Sequence, residues 1–164
     1  MDFKKIICVA AAAAAMSCCL VGCGKDDSKD KDTGASQSQS ADVTATADKL
    51  KSDISYEDDL IEIDSGKIES ILGVSADAYN SAKVYISSSG ATPEEIACFE
   101  AKNGSMATTI EASLTTRITN QKKTFTDYKP EQAPKLDSAV LIKDGNNVYL
   151  CISGDSSKAK EIIG

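Results

Sequence analysis

The sequence predicts an α+β domain, a small sheet lying against one long amphipathic helix, and three observations carry that reading. Met106, Ile110, Leu114, Ile118 and Phe125 recur at spacings of four and seven and define a helix over residues 105 to about 126. Two short apolar runs, 139–142 and 148–152, flank an Asp144-Gly145 hairpin signal. Residues 48–164 are enough for one small domain and too few for two lobes that close around a solute.

Ahead of that domain, Lys4 and Lys5 form a positive n-region, residues 6–20 an apolar h-region, and Leu20-Val21-Gly22-Cys23 reads as a bacterial lipobox. Residues 1–22 are therefore expected to be a lipoprotein signal peptide, cleaved after Gly22, with Cys23 as the lipid-bearing first residue. A transmembrane helix is the competing reading, but residues 6–22 fall short of the roughly 20 residues a span needs. Each buried methylene contributes about 0.8 kcal/mol, so one acyl chain anchors marginally and the two chains of a diacylglyceryl thioether make the anchor stable. The expected address is the extracytoplasmic face of the cell membrane, held by lipid on Cys23.

Residues 23–47 then read as a disordered tether. Lys, Asp, Gly, Ala, Ser, Gln and Thr dominate, and Val43 is the only sizeable apolar side chain after Gly24. The Asp-rich run alternates with Lys and lacks the Gly and terminal Glu of a calcium loop, so it is solvated chain rather than a metal site. A flexible segment of this length spans about 25 to 30 Å.

Within 48–164, residues 48–52 suggest a short helical turn before the acidic Tyr56-Glu57-Asp58-Asp59 segment. Asp64 caps a short helix with an Ile68, Ile71, Leu72 seam, and Gly73 ends it. A helical turn follows near 75–79, a strand at 84–86 and a turn at 87–90. Residues 94–101 are ambiguous: Thr92-Pro93-Glu94-Glu95 opens like a capping box, while Ile96 to Phe99 fits a buried strand. The long helix carries many Thr residues on its outer face, which are poor helix formers, so docking must stabilise it. Pro130 and Pro134 end it, and Asp155 caps a final short helix through Ile163.

Composition excludes several chemistries. The chain has no His and no Trp, which removes imidazole catalysis and His-ligated metal sites, and no cofactor or metal is expected. The formal net charge of −7 becomes one unit more negative once Asp2, Lys4 and Lys5 leave with the signal peptide. Nucleic acid is therefore not expected as a partner, since phosphate binding needs a cationic face. Of six cysteines, only Cys98 and Cys151 remain as thiols in the exported domain. Each reads as a small buried hydrophobe, with a disulfide between them as the alternative, which needs Cα atoms within about 7 Å.

Arg117 and Gln121 fall on the apolar stripe of the long helix, because at about 100° per residue they lie between Ile110 and Phe125 on the wheel. A buried guanidinium requires a partner. An ion pair with Glu95 or another carboxylate is the structural reading; an anion-binding group is the functional one.

The runs Glu94-Glu95-Ile96-Ala97-Cys98-Phe99-Glu100-Ala101-Lys102, Arg117-Ile118-Thr119-Asn120-Gln121-Lys122-Lys123-Thr124-Phe125-Thr126-Asp127-Tyr128 and Ser138-Ala139-Val140-Leu141-Ile142, followed by Gly145 and 148–152, resemble the domain-of-unknown-function 4358 family of small bacterial lipoproteins. The resemblance extends from about Asp59 to the C-terminus. It implies that 94–101 is a strand, and that relatives are encoded near membrane O-acyltransferase systems of the cell envelope. It supplies no activity and no binding residues.

With that strand, the expected fold is a four-stranded, mostly antiparallel sheet packed against one long helix, with short N- and C-terminal helices. Runs 96–99 and 139–142 are apolar at every position, which indicates burial on both sheet faces. One helix cannot cover both, so residues 54–79 are expected to wrap the second face; an apolar face left for a protein partner is the alternative. The function expected from address and composition is a non-enzymatic binding or scaffolding domain for an envelope protein or glycan. A small Ser-Lys hydrolase or transferase accessory to envelope O-acylation is the alternative, as is a small solute or glycan receptor. No G-x-S-x-G elbow appears, and the Ser28 to Lys31 match to S-x-x-K lies in the tether.

Overall fold

The computed structural model describes residues 42–164; the predicted signal peptide, Cys23 and the tether up to residue 41 lie outside the described residues. The chain forms α1 (Val43–Asp53), β1 (Leu60–Glu62), α2 (Ser65–Leu72), a 3-10 turn at Ala76–Ala78, β2 (Tyr79–Ser87), β3 (Glu95–Ala101) and α3 (Gly104–Tyr128). A second 3-10 turn (Pro130–Gln132), α4 (Ala133–Asp137), β4 (Val140–Asp144), β5 (Asn147–Ile152) and α5 (Ser156–Ile163) complete it.

The fold is α+β, with a single antiparallel sheet in the order β1-β2-β3-β5-β4. It has five strands rather than the four expected. The additional one, β1, pairs Leu60 with Ser87 and Glu62 with Tyr85. Three residues after an acidic segment are too few to show an alternation, which is why the sequence conceals it. Residues 94–101 contain a central strand, flanked on both sides by antiparallel partners.

Alternation along the strands sorts the side chains into two cores. Val84, Ala97, Phe99, Val148, Leu150 and Ile152 face α3, where Ala107, Ile110, Leu114 and Phe125 meet them. Met106 is instead 37% exposed. It lies one residue, about 100°, from Ala107 in the first turn, so it falls at the margin of the stripe and Ala107 takes the inward position. On the opposite face Tyr85, Ile96, Cys98, Val140, Tyr149 and Cys151 form a second core.

That second face is covered within the chain, but not by the segment expected. Its cover is α1, through Val43, Ala47 and Leu50, together with Ala159 of α5. Of residues 54–79, Ile54 and Tyr56 reach this face together with Leu60 of β1, whereas Ile68 and Leu72 of α2 pack on the α3 side. Among the described residues, packed structure is thus already present at Val43, ahead of Asp48. Asp42 caps α1 by accepting hydrogen bonds from the Thr44 amide at 2.9 Å and the Thr44 hydroxyl at 2.7 Å. Three inward residues at i, i+4 and i+7, set among Thr, Ala and Asp, leave the composition of a linker while forming the face of a helix.

Elsewhere most local signals hold, although Asp64 occupies the N-cap position of α2 without a side-chain capping hydrogen bond. Gly73 terminates α2 with φ of 70°, a conformation that only glycine adopts without strain, and its amide donates to the Glu69 carbonyl at 2.9 Å. Gly145, with φ of 56°, turns the β4–β5 hairpin. Asp155 caps α5 by accepting from the Lys158 amide at 2.9 Å. After α3 the two prolines do more than end it: Pro130 opens the 3-10 turn and Pro134 sits at the start of α4.

Cys98 and Cys151 are both buried and both free. Cys98 lies opposite Tyr149 and Cys151 opposite Ile96, which makes the two cysteines diagonal neighbours across β3 and β5. Diagonal positions stand about 7–8 Å apart, beyond the usual reach of a disulfide. Burial raises both thiol pKa values.

Candidate functional site

The site is built where β3, α2 and α3 converge. Glu95 is the first residue of β3, and its side chain points to the α3 side of the sheet, 1% exposed. Arg117, in the middle of α3, grips this carboxylate: Nε donates to Oε1 at 2.8 Å and Oε2 at 2.7 Å, and Nη2 lies 2.6 Å from Oε2. Nη1 donates to the Ile71 carbonyl at 2.8 Å, which fastens the end of α2 to the same point. One turn further along α3, Gln121 donates through Nε2 to Glu95 Oε2 at 3.1 Å. Glu95, Arg117 and Gln121 are thus brought together as one cluster, with the guanidinium satisfying a carboxylate that would otherwise be buried alone.

Above this cluster opens a cleft of about 600 Å³, walled by α3 on one side and by the end of α2, the end of β2 and the loop into β3 on the other. Its α3 wall carries Ser113, Thr116, Asn120, Gln121 and Thr124 over Phe125. The hydroxyl protons of this wall are directed to the backbone. Ser113 donates to the Gly73 carbonyl at 3.2 Å, Thr116 to Ala112 at 2.9 Å and Thr124 to Asn120 at 3.1 Å. The oxygen lone pairs are left as the groups each can offer. Because Nε2 of Gln121 must face the acceptor-only carboxylate of Glu95, its Oε1 points away, and this buried oxygen has no hydrogen-bond partner among the described residues.

A second buried carboxylate, which the sequence reading did not single out, also lines the cleft. Glu94 accepts from the amides of Glu57, at 2.9 and 3.0 Å, and Asp58, at 3.1 Å, from the Thr92 hydroxyl at 3.1 Å and from Lys135 Nζ at 2.8 Å. Lys135 also lies 2.8 Å from Glu57, whose other oxygen accepts from Gln132 at 2.9 Å. These contacts hold the Glu57 carboxyl below its ordinary pKa, Lys135 first among the causes. Alongside, Asp58 accepts from the Ser87, Ser88 and Ser89 hydroxyls and from the Ser89 amide at 3.0 Å. The Ser87 and Ser89 bonds hold its carboxyl well below the usual range. The only sequence trace of this network is the Glu94-Glu95 pair at the entry to a central strand, where neighbours in an extended chain point to opposite sides.

Cys23, the predicted lipid site, lies outside the described residues. Among the described residues no cluster of Cys, Asp and Glu is placed to hold a metal ion, and no helix is long and apolar enough to cross a membrane.

The fold and site define a small α+β domain with one long helix over an antiparallel sheet and a polar cleft floored by an ion pair. The chain belongs to the family described as Domain of unknown function (DUF4358), whose model matches residues 52–153. The match covers the whole sheet and the cleft, leaving most of α1 and all of α5 beyond it. No curated protein and no solved structure matches the chain.

Proposed function

We propose that this protein is a lipid-anchored, extracytoplasmic, non-enzymatic binding domain that presents its cleft to a component of the cell envelope. The supporting structural observation is the engagement of the cleft's charged groups with one another. Arg117 is held by Glu95, and Glu94 by Lys135, which disposes these groups to shape a surface rather than to exchange protons or attack a substrate. The lipobox ending at Cys23 and the polar residues that follow it supply the address and the reach.

Metabolic labelling with an alkyne fatty acid tests the anchor. The label is expected on the processed protein in the membrane fraction and absent from a Cys23→Ala variant, which should be recovered in the soluble fraction. An unprocessed cytosolic precursor with a bare Cys23 overturns the proposal. Labelling of a cleft serine by a serine-reactive activity probe overturns its non-enzymatic part in favour of a hydrolase or transferase.

A further inference from the structure

Resting on the reading of an anchored binding domain, we infer that the cleft along α3 is a carboxylate site, in which Arg117 receives the anionic end of an organic monocarboxylate with an apolar body. The first ground is a count of donors. A guanidinium carries five N–H groups. In Arg117 the Nε proton is shared by the two oxygens of Glu95, one Nη2 proton goes to Glu95 Oε2, and one Nη1 proton goes to the Ile71 carbonyl. One N–H on each terminal nitrogen is left without an acceptor among the described residues. Glu95 occupies the edge made by Nε and Nη2, so these two N–H groups belong to the other end of the planar group, the fork that holds a carboxylate through paired bonds.

Exposure supplies the second ground. The charged residues that line the cleft are Arg117, Glu94 and Glu95. Both carboxylates are 1% exposed, whereas the Arg117 side chain is 19% exposed. Glu94 has its own cation in Lys135, at 2.8 Å. A ligand entering the cleft therefore meets the positive end of an oriented ion pair, with the negative end behind it. A carboxylate carbon facing the end of a guanidinium stands about 4 Å from its central carbon and about 7 Å from a carboxyl carbon on the neighbouring edge, because those edges are about 120° apart. Attraction by Arg117 thus exceeds repulsion by Glu95. A cation is turned away by the same group, and a phosphate dianion, costlier to dehydrate, finds no second cation in the lining.

The walls supply the third. Asn120 lies three residues beyond Arg117 on the same side of α3, exposed, and holds its amide beside the fork as a further donor. Ile71, Leu72, Ile86, Pro93 and Phe125 give the same cleft apolar surface, which suits a hydrocarbon body behind the charged end.

Titration of the full-length protein with hexanoate, N-acetyl-leucine, their primary amides and inorganic phosphate, followed by calorimetry and by NMR of side-chain N–H groups, tests the inference. Saturable binding of at least one carboxylate is expected, about tenfold or more tighter than its amide, with shifts centred on Arg117 Nε and the Asn120 amide. Hexanoate alone names a free acid as the source and N-acetyl-leucine alone names a peptide C-terminus; both results uphold the carboxylate assignment. Arg117→Lys keeps a cation for Glu95, loses the fork and should weaken binding about tenfold. Should that variant fail to fold, Asn120→Asp at the exposed position carries the test: a like charge beside the fork should weaken binding about tenfold without lowering the melting temperature. No saturation at millimolar carboxylate, equal affinity for acid and amide, tighter binding of phosphate, or binding insensitive to Asn120→Asp overturns the assignment. Each of those results leaves the anchored-binding reading standing, while loss of lipid on Cys23 with carboxylate binding intact overturns only the anchor.

Discussion

Arg117 and Glu95 meet across the helix–sheet interface, with guanidinium nitrogens 2.6 to 2.8 Å from a carboxylate that is itself 1% exposed. Replacing only the cation leaves a carboxylate in the core without compensation. Arg117→Met is therefore expected to cost about 3–5 kcal/mol, whereas Arg117→Met combined with Glu95→Leu should regain most of that loss, since an apolar pair of similar volume needs no desolvation. Urea unfolding of the two singles and the double measures the coupling. A single Arg117→Met that costs less than about 1 kcal/mol refutes a structural role for the pair.

The N-terminal boundary gives a second prediction. Val43, Ala47 and Leu50 of α1 cover the sheet face formed by Tyr85, Ile96 and Cys98. A chain shortened to begin at Asp48 discards Val43 and Ala47 and should be destabilised by at least about 1.5–3 kcal/mol, the value of burying one valine. One beginning at Asp42 retains the whole helix and should melt with the full-length protein. Equal melting temperatures for the two truncations would show α1 to be dispensable.

The contrast between α3 and α1 shows what a sequence discloses. In α3 the stripe of Ile110, Leu114, Ile118 and Phe125 extends over four turns, so its period survives the Thr-rich outer face, and the same wheel places Arg117 and Gln121 inward beside Glu95. In α1 the inward residues are one valine, one alanine and one leucine among residues typical of linkers, and burial depends on a sheet face assembled from residues far along the chain, from Tyr85 to Cys151. Glu94 was invisible for a related reason: its cation, Lys135, is separated from it by 41 residues, and a carboxylate reads alike in solvent and in a core until the fold supplies its partner.

Acid should expose the role of Asp58. Its carboxyl titrates below the ordinary value because the Ser87 and Ser89 hydroxyls and the Ser89 amide bind the charged form. A folded pKa below the unfolded one, near 3.9, means that this contribution is fully present above the unfolded value and is lost as pH falls through the folded pKa. Melting temperature should therefore decline as pH drops below about 4. Asp58→Asn should melt lower at neutral pH and show a shallower acid decline, and an unchanged acid limb in that variant would assign the effect to other carboxylates.

The two thiols report on the same sheet from the opposite face. Cys98 and Cys151 are buried beneath α1, and desolvation is the first cause raising each thiol pKa, so the nucleophilic thiolate is scarce in the native state on two counts. Alkylation with iodoacetamide at pH 8 should be negligible in native protein and complete in denaturant, with a rate that follows the population of unfolded chain. The truncation beginning at Asp48 strips part of the cover and should label Cys98 and Cys151 faster than the chain beginning at Asp42. Rapid native labelling of either cysteine in the intact protein would mean that the second core opens independently of global unfolding, and α1 would then be a mobile cover over a face available to another protein.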